Sequence, residues 1–173
     1  GGATAATYTL GQTDVGAAMT VAASYTDGGG TAESVTSNAT AMVTNINDAP
    51  TGSVTITGTV TEDQVLTASN TLADEDGLGT ISYQWKRDGV DIGGATAATY
   101  TLGQTDVGAA ITVAASYTDS QGTAESITSN ATSAVLNVND APTGTVTISG
   151  TAQENEILTA SNTLADEDGL GAI

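Results

Sequence analysis

TISYQWKRDGV, residues 80–90, decides how the chain reads. Ile81, Tyr83 and Trp85 alternate with Ser82, Gln84 and Lys86. A period of two puts the three apolar side chains on one face of a strand and the polar ones on the other. Asp88-Gly89 then supplies the pair that a two-residue hairpin favours, because both of its positions need a positive φ. The stretch predicts antiparallel β structure with Trp85 facing a core.

The same alternation continues on either side. In residues 52–58, Val54 and Ile56 point one way while Ser53, Thr55 and Thr57 point the other. Tyr100 and Leu102 share a face, as do Ile111, Val113, Ala115 and Tyr117. Residues 64–72 and 124–135 carry weaker strand patterns. Roughly seven short strands with a turn every ten or so residues predict an all-β, Ig-like antiparallel sandwich. No window carries a helical stripe.

The pattern is copied. Residues 1–46 return as 93–138 with 8 of 46 positions changed, and residues 47–81 return as 139–173 with 8 of 35 changed. The period is 92, the size of a sandwich domain and too long for a solenoid coil. The expected organisation is the C-terminal half of a repeat (1–46), a complete repeat (47–138) and the N-terminal part of the next (139–173), cut from a longer tandem array. Each boundary carries Asn-Asp-Ala-Pro, with Pro50 and Pro142 the only prolines. Proline beside Asn-Asp is linker chemistry.

Composition narrows the function classes. Twenty carboxylates face only Lys86 and Arg87, for a net charge of −18. Such a chain repels polyanions and anionic membranes and attracts divalent cations, so nucleic acid is excluded as a partner. No stretch of 18 apolar residues exists to insert into a membrane. Without Cys, neither disulfides nor thiolate metal sites are available. Without His or Cys, the usual nucleophile–base arrangements are unavailable as well. No enzyme activity is expected.

Tyr83–Leu102 followed by Thr105–Asp119 resembles the tandem Ig-like repeats of giant bacterial surface adhesins of the RTX-adhesin type. The Asn-Asp-Ala-Pro junctions also resemble those of cadherin-like bacterial repeats. The resemblance implies long, acidic, Cys-free extracellular arrays whose linkers bind calcium. It matches Trp85 to the buried Trp of an Ig strand C and Asp106-Val107-Gly108 to the corner before strand F. Ala110 and Thr112 stand where Ig domains carry the corner Tyr and the Cys, so only the architecture transfers.

Two sets of residues are candidate calcium ligands, since calcium takes six to eight oxygens and closely spaced carboxylates before a glycine can wrap it. The first is Asp74, Glu75 and Asp76, copied as Asp166, Glu167 and Asp168. The twelfth position counted from Asp74 is Trp85, so the loop is not an EF-hand. The second gathers at the junctions: Asn47 and Asp48, copied as Asn139 and Asp140, with Glu62, Asp63, Asp119 and Glu125 near strand ends. The counterparts of those last four are Glu154, Asn155, Asp27 and Glu33. Against both sets, Asn-Asp-Ala-Pro is ordinary turn chemistry and surface acidity confers solubility.

The expected function is that of a spacer: a stalk repeat of a secreted bacterial surface adhesin or filament, calcium-stiffened at its junctions, whose partners are neighbouring repeats. One alternative is a self-assembling extracellular filament subunit, with split repeats completed between identical chains. Residues 139–173 plus 1–46 lack only the segment that carries Trp85 in the complete repeat. Another is a module that binds carbohydrate or a host protein, which predicts an exposed aromatic.

Overall fold

A computed structural model describes residues 3–173. It is all-β. The strands are β1 (Ala22–Thr26), β2 (Ala32–Thr36), β3 (Val54–Thr57), β4 (Val65–Asn70), β5 (Ser82–Arg87), β6 (Val90–Asp91), β7 (Thr99–Thr101), β8 (Ile111–Thr118), β9 (Ala124–Thr128), β10 (Val146–Ser149) and β11 (Thr159–Asn162). They form a four-stranded sheet in the order β6-β5-β8-β9, a three-stranded sheet β3-β4-β7, and the pairs β1-β2 and β10-β11. The strand pairs β1–β2, β3–β4, β4–β7, β5–β6, β5–β8 and β10–β11 are all antiparallel. The chain clusters into two compact units. One comprises residues through Gly52, Leu72–Thr80 and Tyr117–Glu125; the other comprises Ser53–Thr71, Ile81–Ser116 and Ser126–Ile173.

The 80–90 stretch folds as its pattern predicts. β5 and β6 are joined through Asp88 (φ 47°) and Gly89 (φ 82°), the two positive φ values of a mirror-image tight turn. Trp85 is fully buried, stacks on Tyr100 with centroids 5.7 Å apart, and donates its indole N–H to the carbonyl of Ala97. Leu66, Leu102, Ile111, Val113 and Val135 complete this core. Burying each contributes about 1.5–3 kcal/mol. On the opposite face of β3 and β4, Thr55 meets Ser69 by a hydroxyl hydrogen bond, and Thr147 meets Ser161 identically in the copied pair.

Two local features depart from the sequence reading. The strand expected over 124–135 breaks after Thr128. There the hydroxyls of Ser129 and Thr132 accept the N–H groups of Val113 and Ile111, so side chains replace part of the ladder. Residues Gln104–Asp106 form a single 3₁₀ turn, and Gln12–Asp14 repeat it. The buried carboxylate of Asp106 anchors that turn: it accepts from Arg87 Nε, Tyr100 Oη and Gly103 N. Arg87 therefore serves the core. Its guanidinium stays charged more firmly than usual because of the Asp106 hydrogen bond.

Candidate metal centre

Glycine brings two loops together. A side chain at Gly79 would drive its Cβ to 1.9 Å from the Thr118 carbonyl, and one at Gly77 would meet Ser120 Oγ at 2.4 Å. With neither present, Ser120 N–H reaches the carbonyls of Asp76 and Gly77. The Asp74–Gly77 turn thereby closes on the Asp119–Thr123 turn.

Asp74, Asp119 and Glu125 converge there, with one carboxylate oxygen of each within 4.8 Å of the others, and this cluster can hold a metal ion. Their positions are fixed by other bonds. Asp119 Oδ1 accepts the N–H groups of Gln121 and Thr123. Asp74 Oδ1 accepts from Asp76 N, and its Oδ2 accepts from the Tyr117 hydroxyl. Glu125 Oε1 accepts from the Asn47 amide, 2.9 Å away, which ties the first Asn-Asp-Ala-Pro junction to the cluster.

Within the cluster, one atom is unaccounted for by the protein. Asp119 is only 6% exposed, and its Oδ2 is buried with no hydrogen-bond partner. A buried, unpaired carboxylate oxygen beside two further carboxylates is costly unless a cation compensates it. Among the described residues the protein has none to offer. Its two basic side chains are engaged elsewhere, Lys86 with Asp91 and Arg87 with Asp106. The Tyr117 hydroxyl records the same field. Its pKa is pushed up by burial first, then by its bond to Asp74 and the charges of Asp74, Glu125 and Asp119.

The remaining candidate ligands go elsewhere. Asp76 is buried and has both oxygens occupied, Oδ1 by the Gln12 amide and Oδ2 by Asp48 N–H. Asp168 repeats this with the Asn137 amide and Asp140 N–H. Its pKa is held below the usual carboxylate range by the Asp140 N–H foremost, with help from the amides of Asn137 and Gln104. These two aspartates clasp the junctions; their oxygens are already filled. Glu62 is buried and accepts from Val138 N. Asp63 and Asn155 sit in tight turns at φ 62° and 70°, a backbone region Asp and Asn tolerate, which explains their exchange. Glu75 and Glu167 are exposed. Asn139 donates to the Asp140 carbonyl. Asp166 caps Asp168 N as Asp74 caps Asp76 N. Asp27 caps Gly29 and Thr31 as Asp119 caps its loop, and Glu33 takes the Tyr25 hydroxyl.

Sequence reading gave no role to Gln12, Gln104 or the Tyr117 hydroxyl. Gln12 and Gln104 stand one period apart beside the 3₁₀ turns, and that recurrence was the available signal.

No family model, no curated protein and no solved structure matches this chain.

Proposed function

We propose that the chain is a stretch of an extracellular bacterial spacer, built of tandem Ig-like sandwich domains of about 92 residues and stiffened by calcium beside its junctions. Its work is mechanical, not catalytic: it holds another part of its protein away from the cell. The stacking of Trp85 in the four-stranded sheet on Tyr100 in the three-stranded one supports the sandwich. The repeat period and the resemblance to adhesin arrays support the spacer.

The observation that carries the metal reading is the buried, partnerless Asp119 Oδ2 between Asp74 and Glu125. A bound cation draws on all three carboxylates. Asp74 and Glu125 are only half-buried, which leaves room for the waters that calcium needs to reach six or more oxygens. Through Glu125 the cation also braces Asn47. The Asp76 clasp on Gln12 and Asp48 fastens the same junction without metal. Burial of the only Trp speaks against an aromatic ligand-binding face.

Small-angle X-ray scattering of the chain in calcium and after chelation tests the stiffening. Calcium should lower the flexible signal at high angle and sharpen the distance distribution. Superimposable profiles with calcium demonstrably bound would refute the stiffening role.

A further inference from the structure

The Asp74–Gly77 turn faces two ways. Asp74 joins Asp119 and Glu125 in the cluster that contains the partnerless Asp119 Oδ2. Asp76, two residues on, serves the first Asn-Asp-Ala-Pro junction: its Oδ2 accepts the Asp48 N–H at 2.7 Å and its Oδ1 accepts the Gln12 amide at 2.8 Å. Asp74 Oδ1 accepts the Asp76 N–H, and the Asp74 carbonyl accepts the Gly77 N–H, so the two aspartates move as one piece. Gln12 lies ahead of the junction in the chain; the three clustered carboxylates lie behind it.

The contacts run in a ring. Glu125 Oε1 accepts from the Asn47 amide, the next residue Asp48 donates to Asp76, and Asp76 donates to Asp74. The remaining link, Asp74 to Glu125, sets like charges within 4.8 Å of each other, and a cation closes it. A closed ring fixes the Asp76 carboxylate where Gln12 reaches it. Conversely, Asp76 is only 2% exposed, and a buried carboxylate that loses a donor is driven toward water. That movement draws Asp74 away from Asp119. The cation and the Gln12 amide therefore favour each other, and such coupling is reciprocal. The second junction builds the same clasp, with the amides of Gln104 and Asn137 and the Asp140 N–H holding Asp168.

We propose that Gln12 is a positioning residue for the cation site: its amide, supplied from ahead of the junction, acts through Asp76 to hold Asp74 in place and so sets the calcium affinity of Asp74, Asp119 and Glu125. A repeat binds calcium tightly only when the segment before it is clasped, and calcium in turn tightens the clasp. Filling of successive sites along an array then depends on the neighbour. This role rests on the metal reading of Asp74, Asp119 and Glu125.

Displacement of terbium by calcium, read by terbium luminescence excited through tyrosine, measures the affinity. The part of the signal lost in Asp119→Asn belongs to this site, and Trp85 fluorescence checks that each variant is folded. Gln12→Met keeps the reach of the side chain and removes the donor. It should weaken calcium about tenfold, within the usual range of coupling between sites. The same change at Gln104, which serves Asp168, should leave the affinity unaltered. In the Asp76→Ala background, Gln12→Met should have no further effect. Calcium should also slow hydrogen exchange of the Gln12 side-chain amide, followed by NMR, in the wild type and not in Asp119→Asn. An unchanged calcium affinity in Gln12→Met would overturn the positioning role and leave the metal reading standing. An equal loss in Gln104→Met, or a loss that persists in the Asp76→Ala background, would overturn the route through Asp76. Terbium luminescence that Asp119→Asn leaves intact would overturn the metal reading and this role with it.

Discussion

Residues 1–46 and 93–138 differ at 8 positions, and in the described parts they fold alike where contacts are local. Each makes the 3₁₀ turn, with Tyr8 donating to Asp14 as Tyr100 donates to Asp106. Each caps its loop through one aspartate oxygen, Asp27 or Asp119. Gly16 N–H reaches the Val43 carbonyl as Gly108 N–H reaches that of Val135. The two part company where contacts are distant. β8 runs eight residues because β5 pairs with it from Arg87↔Ile111 to Ser82↔Ser116, whereas its counterpart β1 runs five. Asp106 is buried under Arg87, but no arginine stands over Asp14. Turn chemistry is therefore written into the segment itself. Strand length and burial are conferred by the half of the repeat that covers it.

The comparison can be broken by substitution, beginning with the largest effect. Trp85→Ala should cost the complete repeat about 3–5 kcal/mol, read by chemical denaturation followed through circular dichroism. Leu102→Ala should cost about 2–5 kcal/mol and Leu10→Ala under about 0.5 kcal/mol, although the sequence around them is the same. Equal costs would mean that residues 1–46 are buried in solution by some other contact. Asp106→Ala removes the buried acceptor shared by Arg87, Tyr100 and Gly103 and should cost about 3 kcal/mol, whereas Asp14→Ala, losing only part-exposed hydrogen bonds, should cost under about 1 kcal/mol.

The smallest effect is a pH dependence. Asp168 has a folded pKa below its unfolded value of about 3.9. Its stabilising contribution is thus fully present above about pH 4 and is lost as pH falls through the lower folded value. The Asp140 amide proton shift, followed by NMR between about pH 5 and pH 2, should titrate as Asp168 takes up its proton in the wild type and show no such step in Asp168→Ala.

Strand identity was legible in the sequence wherever the period of two was clean, as at Val54, Trp85 and Ile111. The break after Thr128 was not, because Ser129 and Thr132 satisfy neighbouring N–H groups only once β8 lies beside them. Among the fourteen candidate ligands, spacing along the chain could not separate Asp74 from Asp76. Both lie in one turn, but one faces the Asp119 loop and the other receives the junction N–H. Asp119 and Glu125 were legible only as acidic residues near strand ends, since what makes them a site is the close approach permitted at Gly77 and Gly79.

Asp119→Asn tests the central claim most directly. The amide keeps an oxygen for Gln121 and Thr123 and removes the uncompensated charge beside Asp74 and Glu125. Unfolding can be followed by the fluorescence of Trp85, the only tryptophan, in calcium and in chelator. The account predicts an inversion. In chelator the variant is more stable than the wild type; in calcium at a hundred times its dissociation constant only the wild type gains, by about 2.7 kcal/mol. A variant less stable than the wild type in chelator, or one that gains from calcium equally, would contradict a cation site at Asp119.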